Sequence, residues 1–307
     1  MSDDRRPAVR RYTNTPGITD DYFKVRSFLI ERGYCPFTYA RFDWMTTHPN
    51  LAPEFLPRIG LWEHDGRIIA AAIFDCHPGD TFLIALPGYA FLYPEMLEYA
   101  ERELCIDDRY ALVISDTDRV LQSAAANAGY IALPEREHDA AFFPEGASLN
   151  YDLPAGFTLT DMDETFDLYQ YGRVLWKGFN HEKNGEGPYC PDKDDEACGR
   201  NSMLRPNVDL KLKIAAVAPN GNFAAYCGMW YDPLAGYAVI EPVACDPDYR
   251  KLGLGRAVVL EGVRRVYARG AKLILVGSAQ QFYYSIGLVP YASSSKWKKR
   301  IPPCCHP

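Results

Sequence analysis

The chain has 307 residues, of which 48% are hydrophobic and 13% aromatic, so it is long enough for two globular domains of ordinary size. Its 40 acidic and 33 basic side chains give a net charge of −7, which argues against a nucleic-acid partner, because such a partner normally requires a basic surface. Residues 1–11 are polar and no later stretch holds about 18 uninterrupted apolar residues, so we expect a cytoplasmic protein without a membrane partner.

The first half of the chain has the pattern of an α/β domain. Residues 58–74 read as a strand, a turn at Asp65-Gly66 and a second strand, which is typical of a β-hairpin. A third strand is predicted over residues 82–89 and a helix over residues 95–104. The half then ends with a strand over residues 111–114, a helix and the tripeptide Ala128-Gly129-Tyr130.

A domain boundary is predicted where turn-forming residues interrupt the periodic segments. Residues 144–154 are rich in such residues, so we expect one domain over residues 1–150 and a second over residues 151–307. The second domain is expected to begin with a strand over residues 157–160 and a helix over residues 166–179.

The second half repeats the order of the first. Residues 212–231 read as another hairpin, here around Asn220-Gly221, and are followed by a strand, a glycine turn and a helix. A strand over residues 273–276, a helix and the tripeptide Ile286-Gly287-Leu288 then match the end of the first half. The repeated order predicts two related mixed α/β sheets.

A glycine turn opens the helix of the second half. It lies between the β-rich residues 237–245 and the apolar-periodic residues 257–268. The first N–H groups of a helix have no partner within the helix and lie at the positive end of its dipole, so they attract anions. Gly253 and Gly255 leave these groups free of side chains, which favours a pyrophosphate site.

These residues resemble the GNAT superfamily of N-acetyltransferases, whose motif places Arg or Gln, then Gly, then Gly or Ala at a helix start. Arg250, Gly253 and Gly255 fill this motif, and the strand before it and Phe282-Tyr283 after it extend the resemblance. The resemblance implies two GNAT-like domains in tandem, each a mostly antiparallel twisted sheet flanked by helices, that is, an α/β (α+β mixed sheet) class.

The resemblance further implies that only the C-terminal domain binds acetyl-CoA. When Tyr89 is aligned with Tyr249, the first half places Ala90, Tyr93 and Glu95 at the three motif positions. A bulky ring, the missing N–H of the intervening proline and a carboxylate all disfavour phosphate. We therefore expect residues 1–150 to form a degenerate copy with a structural or substrate-shaping role.

By the resemblance, the pantetheine arm pairs with the backbone of the strand before the turn, and the turn holds the phosphates. The residues expected to contact acetyl-CoA are Val243, Ala244, Cys245, Arg250, Lys251, Leu252, Gly253, Leu254, Gly255 and Arg256. Val243 and Cys245 would supply the backbone hydrogen bonds. Arg250, Lys251 and Arg256 would supply the positive charge, although any one of them is equally compatible with a solvated side chain.

The reaction implied is direct attack of a primary amine, expected to be that of a small molecule, on the thioester. Tyr283 is the candidate general acid, because a phenol with a pKa near ~10 can protonate a departing thiolate. Glu241 is the candidate base, since a carboxylate in an apolar strand tends to have a raised pKa. Alternation places it on the face of Val239 and Val243. The alternatives are helix packing for Tyr283 and a structural carboxylate for Glu241.

Substrate recognition is expected from residues 176–196. The acidic side chains in this stretch either attract a cationic amine or form a solvated surface; they are Asp192, Asp194, Asp195 and Glu196. His181 is either a second base or a structural hydrogen-bonding residue.

Other ligand classes fit the residues less well. A dinucleotide fingerprint requires a third glycine where Val258 stands, and a P-loop requires Gly-Lys-Ser/Thr, which the chain lacks. Nine cysteines scattered over the chain favour reduced thiols. Neither Cys190 with Cys198 nor the run Cys304-Cys305-His306 has zinc-ligand spacing, so no metal is expected. A non-catalytic acyl-CoA-binding sensor or interaction module remains the alternative to an enzyme.

Overall fold

A computed structural model of the protein describes residues 6–13 and 18–299 and divides the chain into two compact units. Of the described residues, the first unit takes those up to His138 together with residues 292–299, whereas the second consists of Asp139–Tyr291. The sequence places one boundary at 150/151. The units divide differently because each sheet is completed by a strand from a distant part of the chain, which local turn signals do not indicate.

The helices and strands of the first unit come largely from the first half of the chain. They are β1 (Ala8–Arg11), α1 (Asp20–Arg32), α2 (Tyr39–Thr47), β2 (Gly60–His64), β3 (Arg67–Asp75), β4 (His77–Ala85), α3 (Tyr93–Glu103), β5 (Ala111–Ser115), α4 (Arg119–Asn127) and β6 (Tyr130–Phe142), whose last residues belong to the second unit. Short 3₁₀ helices cover Pro53–Arg58 and Ala90–Leu92.

The sheet of the first unit is mostly antiparallel. Strands β1 to β4 pair in sequence order as antiparallel neighbours, and β4 then pairs with β5 in parallel. The predicted hairpin is confirmed: Asp65 and Gly66 both have positive φ, 52° and 74°, as a two-residue turn between twisted strands requires. The strand predicted over residues 82–89 begins earlier and covers His77–Ala85.

The second unit repeats this arrangement. Its elements are β7 (Thr158–Asp161), α5 (Leu168–Gly178), α6 (Lys193–Met203), β8 (Lys213–Val217), β9 (Phe223–Tyr231), β10 (Tyr237–Cys245), α7 (Leu254–Ala268), β11 (Leu273–Val276), α8 (Gln281–Ile286) and β12 (Val289–Lys299), which ends in the first unit. Short 3₁₀ helices cover Leu210–Leu212 and Pro247–Tyr249.

Strands β7 to β10 pair in sequence order as antiparallel neighbours, and β10 pairs with β11 in parallel. A final antiparallel strand completes each sheet: residues 140–142 of β6 pair with β11 in the second unit, and residues 294–297 of β12 pair with β5 in the first. The predicted fold class, a mixed α/β arrangement in which each unit carries mostly antiparallel strands flanked by helices, is confirmed.

Helix α7 packs against the sheet of the second unit through apolar side chains and also carries one buried carboxylate. Val258, Val259 and Leu260 are fully buried in the core. Glu261, 3% exposed, accepts hydrogen bonds from Arg264 Nη2 at 2.6 Å, Arg265 Nε at 2.7 Å and the Tyr151 hydroxyl at 2.8 Å. Burial acts to raise the pKa of Glu261, but these hydrogen bonds outweigh it and lower the pKa.

Within residues 6–13 and 18–299, no helix has both the length and the apolar character needed to cross a membrane.

Candidate active site

The turn before α7 adopts the backbone conformation that its glycines permit. Lys251 and Gly253 both have positive φ, 66° and 81°, and Gly253 is the N-cap residue of the helix. The helix begins at Leu254, so the N–H groups of Leu254, Gly255 and Arg256 point out of its first turn without a carbonyl partner inside the helix. The helix dipole adds partial positive charge at this end. The turn is therefore built as an anion site.

Gly255 is required for packing as well as for access. A Cβ atom at Gly255 would lie 3.2 Å from two atoms of the Phe282 ring, which is tight for a carbon–carbon contact. Phe282 in turn contacts the ring of Tyr283 edge-on, with centroids 5.0 Å apart. The absent side chain of Gly255 thus lets α8 approach the start of α7.

A gap opens between the two parallel strands of the second unit. The parallel pairing of β10 with β11 covers Tyr237 to Val239 and goes no further, although β10 continues to Cys245. Asp246 N donates to Ala224 O at 3.0 Å, which fixes the alternation of the β9–β10 ladder. In an antiparallel ladder every second residue turns its backbone groups away from the partner. Val243 and Cys245 are those residues, so their backbone groups face the gap.

Arg250 closes one end of this gap by bonding to backbone carbonyls. Its Nε donates to Cys245 O at 3.3 Å, and its Nη2 donates to Gly178 O at 3.0 Å. The carbonyl of Cys245 is therefore engaged within the protein, whereas the backbone of Val243 faces the gap. Arg250 was expected to contribute charge to phosphate binding; in the structure it also joins the end of α5 to the end of β10.

The end of α5 approaches β10 closely because Gly178 has no side chain. A Cβ atom at this position would lie 2.7 Å from Ala244 Cβ and 3.1 Å from Cys245 N. Two ion pairs reinforce the contact, since the fully buried Asp246 meets Arg173 Nη2 at 2.8 Å and Lys177 Nζ at 3.2 Å. The wall of the gap opposite α7 is thus held by residues of α5.

These elements surround a cavity of about 730 Å³ in the second unit. Among the residues expected to contact the cofactor, those that line it are Val243, Ala244, Cys245, Arg250, Lys251, Gly253, Leu254, Gly255 and Arg256. Leu252, 43% exposed, is absent from the described lining. The cavity is within the usual size range of small-molecule sites.

Tyr283 lies in the wall of the same cavity. It belongs to α8, is 7% exposed, and its hydroxyl has no hydrogen-bond partner among the residues that the structure describes. Burial raises the pKa of Tyr283 above its ordinary value, and the nearby charges of Cys227 and Glu241 raise it further. The phenol is therefore protonated at neutral pH and able to donate.

Glu241 lies at an irregularity of β10 that the sequence pattern does not reveal. The register with β9 shifts between Ile240 and Val243, so β10 carries one residue more than its partner. The expected alternation is therefore wrong beyond this point: Val243 faces the side opposite to Val239. Glu241 is half-buried and lies outside the described cavity lining.

The Glu241 backbone is held in place by two residues of β9. Trp230 Nε1 donates to Glu241 O at 2.9 Å, and a Cβ atom at Gly228 would lie only 2.4 Å from the same oxygen. The side chain of Glu241 is close enough for its charge to raise the pKa of Tyr283. The two candidate catalytic groups therefore share one electrostatic environment.

Several lining residues carry no signal in the sequence. Gly178, Phe179 and Asn180 line the cavity, although residues 176–182 were expected to recognise the acceptor instead. The positive φ of Asn180, 66°, is a local sign that α5 ends here. Gln280 and Ser285 also line the cavity, and only the three-dimensional packing of α8 against α7 brings them there.

Two carboxylates of the acidic run of residues 192–196, Asp192 and Asp195, form the capping box of helix α6. Asp192 is the N-cap of α6, and its Oδ1 accepts from the N–H groups of Asp194 and Asp195 at 2.9 Å each. His181 Nδ1 lies 2.9 Å from Glu186 Oε1, and its ring stacks on Trp176. These contacts give Asp192, Asp195 and His181 a structural role that does not require an amine substrate.

In the described part of the chain, no cluster of three or more His, Cys, Asp or Glu side chains is arranged to hold a metal ion. Cys190 and Cys198 are exposed free thiols. The run Cys304-Cys305-His306 lies outside the described residues.

Solved structures share this fold over almost the whole chain. A GCN5-related N-acetyltransferase from Sphaerobacter thermophilus has a TM-score of 0.58 at 15% identity, with 96% of each chain covered. A tandem GNAT protein from the clavulanic acid biosynthesis pathway has a TM-score of 0.55 at 14% identity, covering 95% of this chain and 98% of its own. A GNAT-family acetyltransferase from Colwellia psychrerythraea has a TM-score of 0.58 at 10% identity, covering 95% and 100%. These likenesses establish a GNAT fold.

A comparison at the level of sequence identifies the protein family. A model of the acetyltransferase (GNAT) family matches residues 174–288, which include α5, β10, the glycine turn, α7 and α8. The chain therefore contains a domain of the GNAT acetyltransferase family, whose members transfer acyl groups from acyl-CoA. No curated protein sequence matches the chain significantly.

Proposed function

We propose that the second unit transfers the acetyl group of acetyl-CoA to a primary amine of a small molecule by direct attack. The observation that carries this proposal is the 730 Å³ cavity, where gap-facing strand backbone, a glycine-capped helix start and a buried phenol meet. We further propose a cytoplasmic location, since Cys35, Cys76 and Cys227 carry free thiols that a reducing compartment preserves.

The residues present fit acetyl-CoA as a co-substrate. The N–H groups at the start of α7, together with Lys251 and Arg256, would hold the pyrophosphate. The backbone of Val243 would pair with the amide groups of the pantetheine arm, as one strand pairs with another. The thioester supplies an activated acetyl group, and each remaining task falls to side chains of the protein.

Two proton transfers accompany the reaction. The amine nitrogen forms a bond to the thioester carbonyl carbon, the carbon–sulfur bond breaks, and the sulfur takes the hydroxyl proton of Tyr283. The amine must lose a proton, which Glu241 would accept through water, because Glu241 lies outside the described lining of the cavity. Tyr283 recovers its proton from solvent when CoA leaves.

A charge reversal in the turn tests cofactor binding. We would titrate acetyl-CoA calorimetrically into wild type, Lys251→Glu and Lys272→Glu, of which Lys272 is exposed and outside the described cavity lining. Like charge beside phosphate should weaken binding about tenfold or more in Lys251→Glu only. Absence of any binding to wild type would refute both acetyl transfer and acyl-CoA sensing.

Release of free thiol with a panel of small primary amines tests catalysis separately. Thiol release with one amine class, at a rate above hydrolysis alone, would establish transfer and identify the acceptor class. Tight acetyl-CoA binding without thiol release from any small amine would instead favour the non-catalytic acyl-CoA-binding module.

A further inference from the structure

The first unit contains a cavity of its own at the corresponding place in its sheet. Its volume is about 350 Å³, roughly half that of the cavity in the second unit. Strand β4 pairs with β5 only at Asp80 and Thr81, so the two parallel strands separate beyond Thr81. A gap between parallel strands has therefore been retained in a unit whose helix start cannot hold a pyrophosphate.

The backbone of β4 lines this gap. Leu86 N donates to Ile69 O at 2.9 Å, which sets the alternation of the β3–β4 ladder. Leu83 and Ala85 consequently turn their N–H and C=O groups away from β3, toward the side where β5 has separated. Both residues line the cavity. Their backbone groups match a ligand that carries an amide in an extended chain.

The walls beside this backbone are apolar. Phe82, Ile84, Val113 and Leu121 are all less than 5% exposed and line the cavity. A ligand that fills the gap therefore needs apolar substituents beside its amide, because polar groups against these walls would lose hydration without gaining partners.

Arg32, the last residue of α1, brings an unpaired positive charge to the cavity. Its Nε is buried and has no hydrogen-bond partner, and no ion pair of Arg32 occurs among residues 6–13 and 18–299. The acidic residue of the described lining, Asp118, is already engaged: its Oδ2 accepts from the Tyr93 hydroxyl and its Oδ1 from Leu121 N, both at 2.9 Å. A buried guanidinium nitrogen without an acceptor is costly, and a ligand carboxylate would satisfy it.

We propose that the first unit binds a short, extended carboxylate that contains an amide and an apolar tail, such as an N-acylated amino acid. The carboxylate pairs with Arg32, the amide pairs with the backbone of Leu83 or Ala85, and the tail packs against Phe82 and Val113. This site is independent of acetyl transfer, because its residues belong to the first unit alone.

The start of α3 explains why the ligand is not a nucleotide. Tyr93 is 4% exposed and lines the cavity, Pro94 has no N–H to offer, and Glu95 adds a carboxylate whose Oε1 accepts from Trp62 Nε1 at 2.9 Å. Where the second unit has free N–H groups, the first unit therefore has side chains that are already hydrogen-bonded within the protein. The remaining positive charge, Arg32, belongs to a different element.

Calorimetric titration of N-hexanoylglycine into the full chain, with and without saturating CoA, tests the proposal. Saturable binding in both conditions is expected. Two comparison ligands isolate the contributions on the unaltered protein: N-hexanoylglycinamide lacks the charge, and nonanoate, a carboxylate of the same chain length, lacks the amide. Each should bind about tenfold more weakly, in line with the loss of one charged or buried hydrogen bond. Equal affinity for N-hexanoylglycine and its glycinamide would overturn the role of Arg32.

A pair of α1 variants supplies the matched test on the protein. Arg32→Met removes the cavity charge, and Lys24→Met removes an exposed charge from the same helix. Binding should weaken about tenfold or more in Arg32→Met and remain unchanged in Lys24→Met. No saturable binding of N-butanoyl-, N-hexanoyl- or N-octanoylglycine to wild type, or equal weakening in both variants, would refute the site.

Discussion

Both units contain a gap between two parallel strands, but the residues that line the gap differ. In each, the parallel strand pair separates after a short stretch of pairing, at Thr81 in the first unit and at Val239 in the second. In the second unit the gap lies beside the start of a helix. The N-cap residue of that helix, Gly253, has no side chain to occupy the first N–H groups, so these groups remain free. In the first unit the gap meets Tyr93, whose hydroxyl bonds to Asp118. On the two proposals above, the strand arrangement sets where a ligand would lie, and the few residues at the helix start set which ligand it would be.

The buried phenols of the two gaps illustrate the same contrast. Burial raises the pKa of both Tyr93 and Tyr283. The Tyr93 hydroxyl donates a hydrogen bond to a carboxylate of its own unit, whereas the hydroxyl of Tyr283 has no such partner in the described structure. A phenol that is buried, protonated and unpaired is available to a reacting group, and one that is paired contributes to stability instead.

The largest expected effect comes from removing the hydroxyl of Tyr283. Tyr283→Phe should lower kcat by about 10²–10⁴-fold and change the KM for acetyl-CoA little, because the proton is needed only as the thiolate departs. Steady-state kinetics with the best amine measures this. Tyr284→Phe, on the same helix but absent from the described cavity lining, is the matched control and should retain wild-type kcat.

The pH profile provides an independent check on Tyr283. Since burial raises the pKa of Tyr283, the acid form persists to at least pH ~10, so wild-type kcat should show no alkaline loss from this group below that pH. A kcat that falls between pH 7 and 9, in a buffer range where the protein stays folded, would contradict its assignment as the general acid.

The second largest effect is expected at Gly178. Gly178→Ala places a methyl group 2.7 Å from Ala244 Cβ, against strand backbone that cannot move away easily, so unfolding should become easier by about 1–3 kcal/mol. The KM for acetyl-CoA should also rise, since Gly178 lines the cavity. Thermal unfolding and kinetics measure the two effects.

Gly199 offers the control for this substitution. It lies within helix α6, and a Cβ atom there has no neighbour within 4 Å. Gly199→Ala should therefore stabilise the protein by about 0.5–1 kcal/mol through helix propensity. If both variants change the unfolding temperature alike, the close approach of α5 to β10 has no energetic importance.

The sequence predicts local features of both units and misses the distant ones. The Asp65-Gly66 and Asn220-Gly221 turns and the glycine-capped start of α7 are visible because each depends on neighbouring residues. The bulge at Glu241 depends on the register with β9, and the contact of Gly178 with Ala244 depends on how α5 crosses β10. The strands that complete each sheet pair residues far apart in the chain, so no local pattern indicates them.

A smaller effect is expected in the first unit. Tyr93→Phe removes the donor to Asp118 Oδ2 while leaving the helix-capping bond from Leu121 N to Oδ1 intact, so the protein should lose about 1 kcal/mol of stability. Acetyl transfer should be unaffected, because Tyr93 belongs to the other unit. A loss of kcat comparable with that of Tyr283→Phe would show that the two gaps are not functionally separate.

The smallest effect is expected at Arg250, where Ala90 stands at the aligned position of the first unit. Arg250→Ala removes exposed hydrogen bonds to Gly178 O and Cys245 O, and should raise the KM for acetyl-CoA about fivefold without changing kcat. Salt distinguishes the two ways in which Arg250 can act. A role through charge attraction to phosphate would be screened, so the difference from wild type would shrink between low salt and about 1 M. We expect the difference to persist, since Arg250 joins the end of α5 to β10 and a lost hydrogen bond between protein groups is not restored by salt.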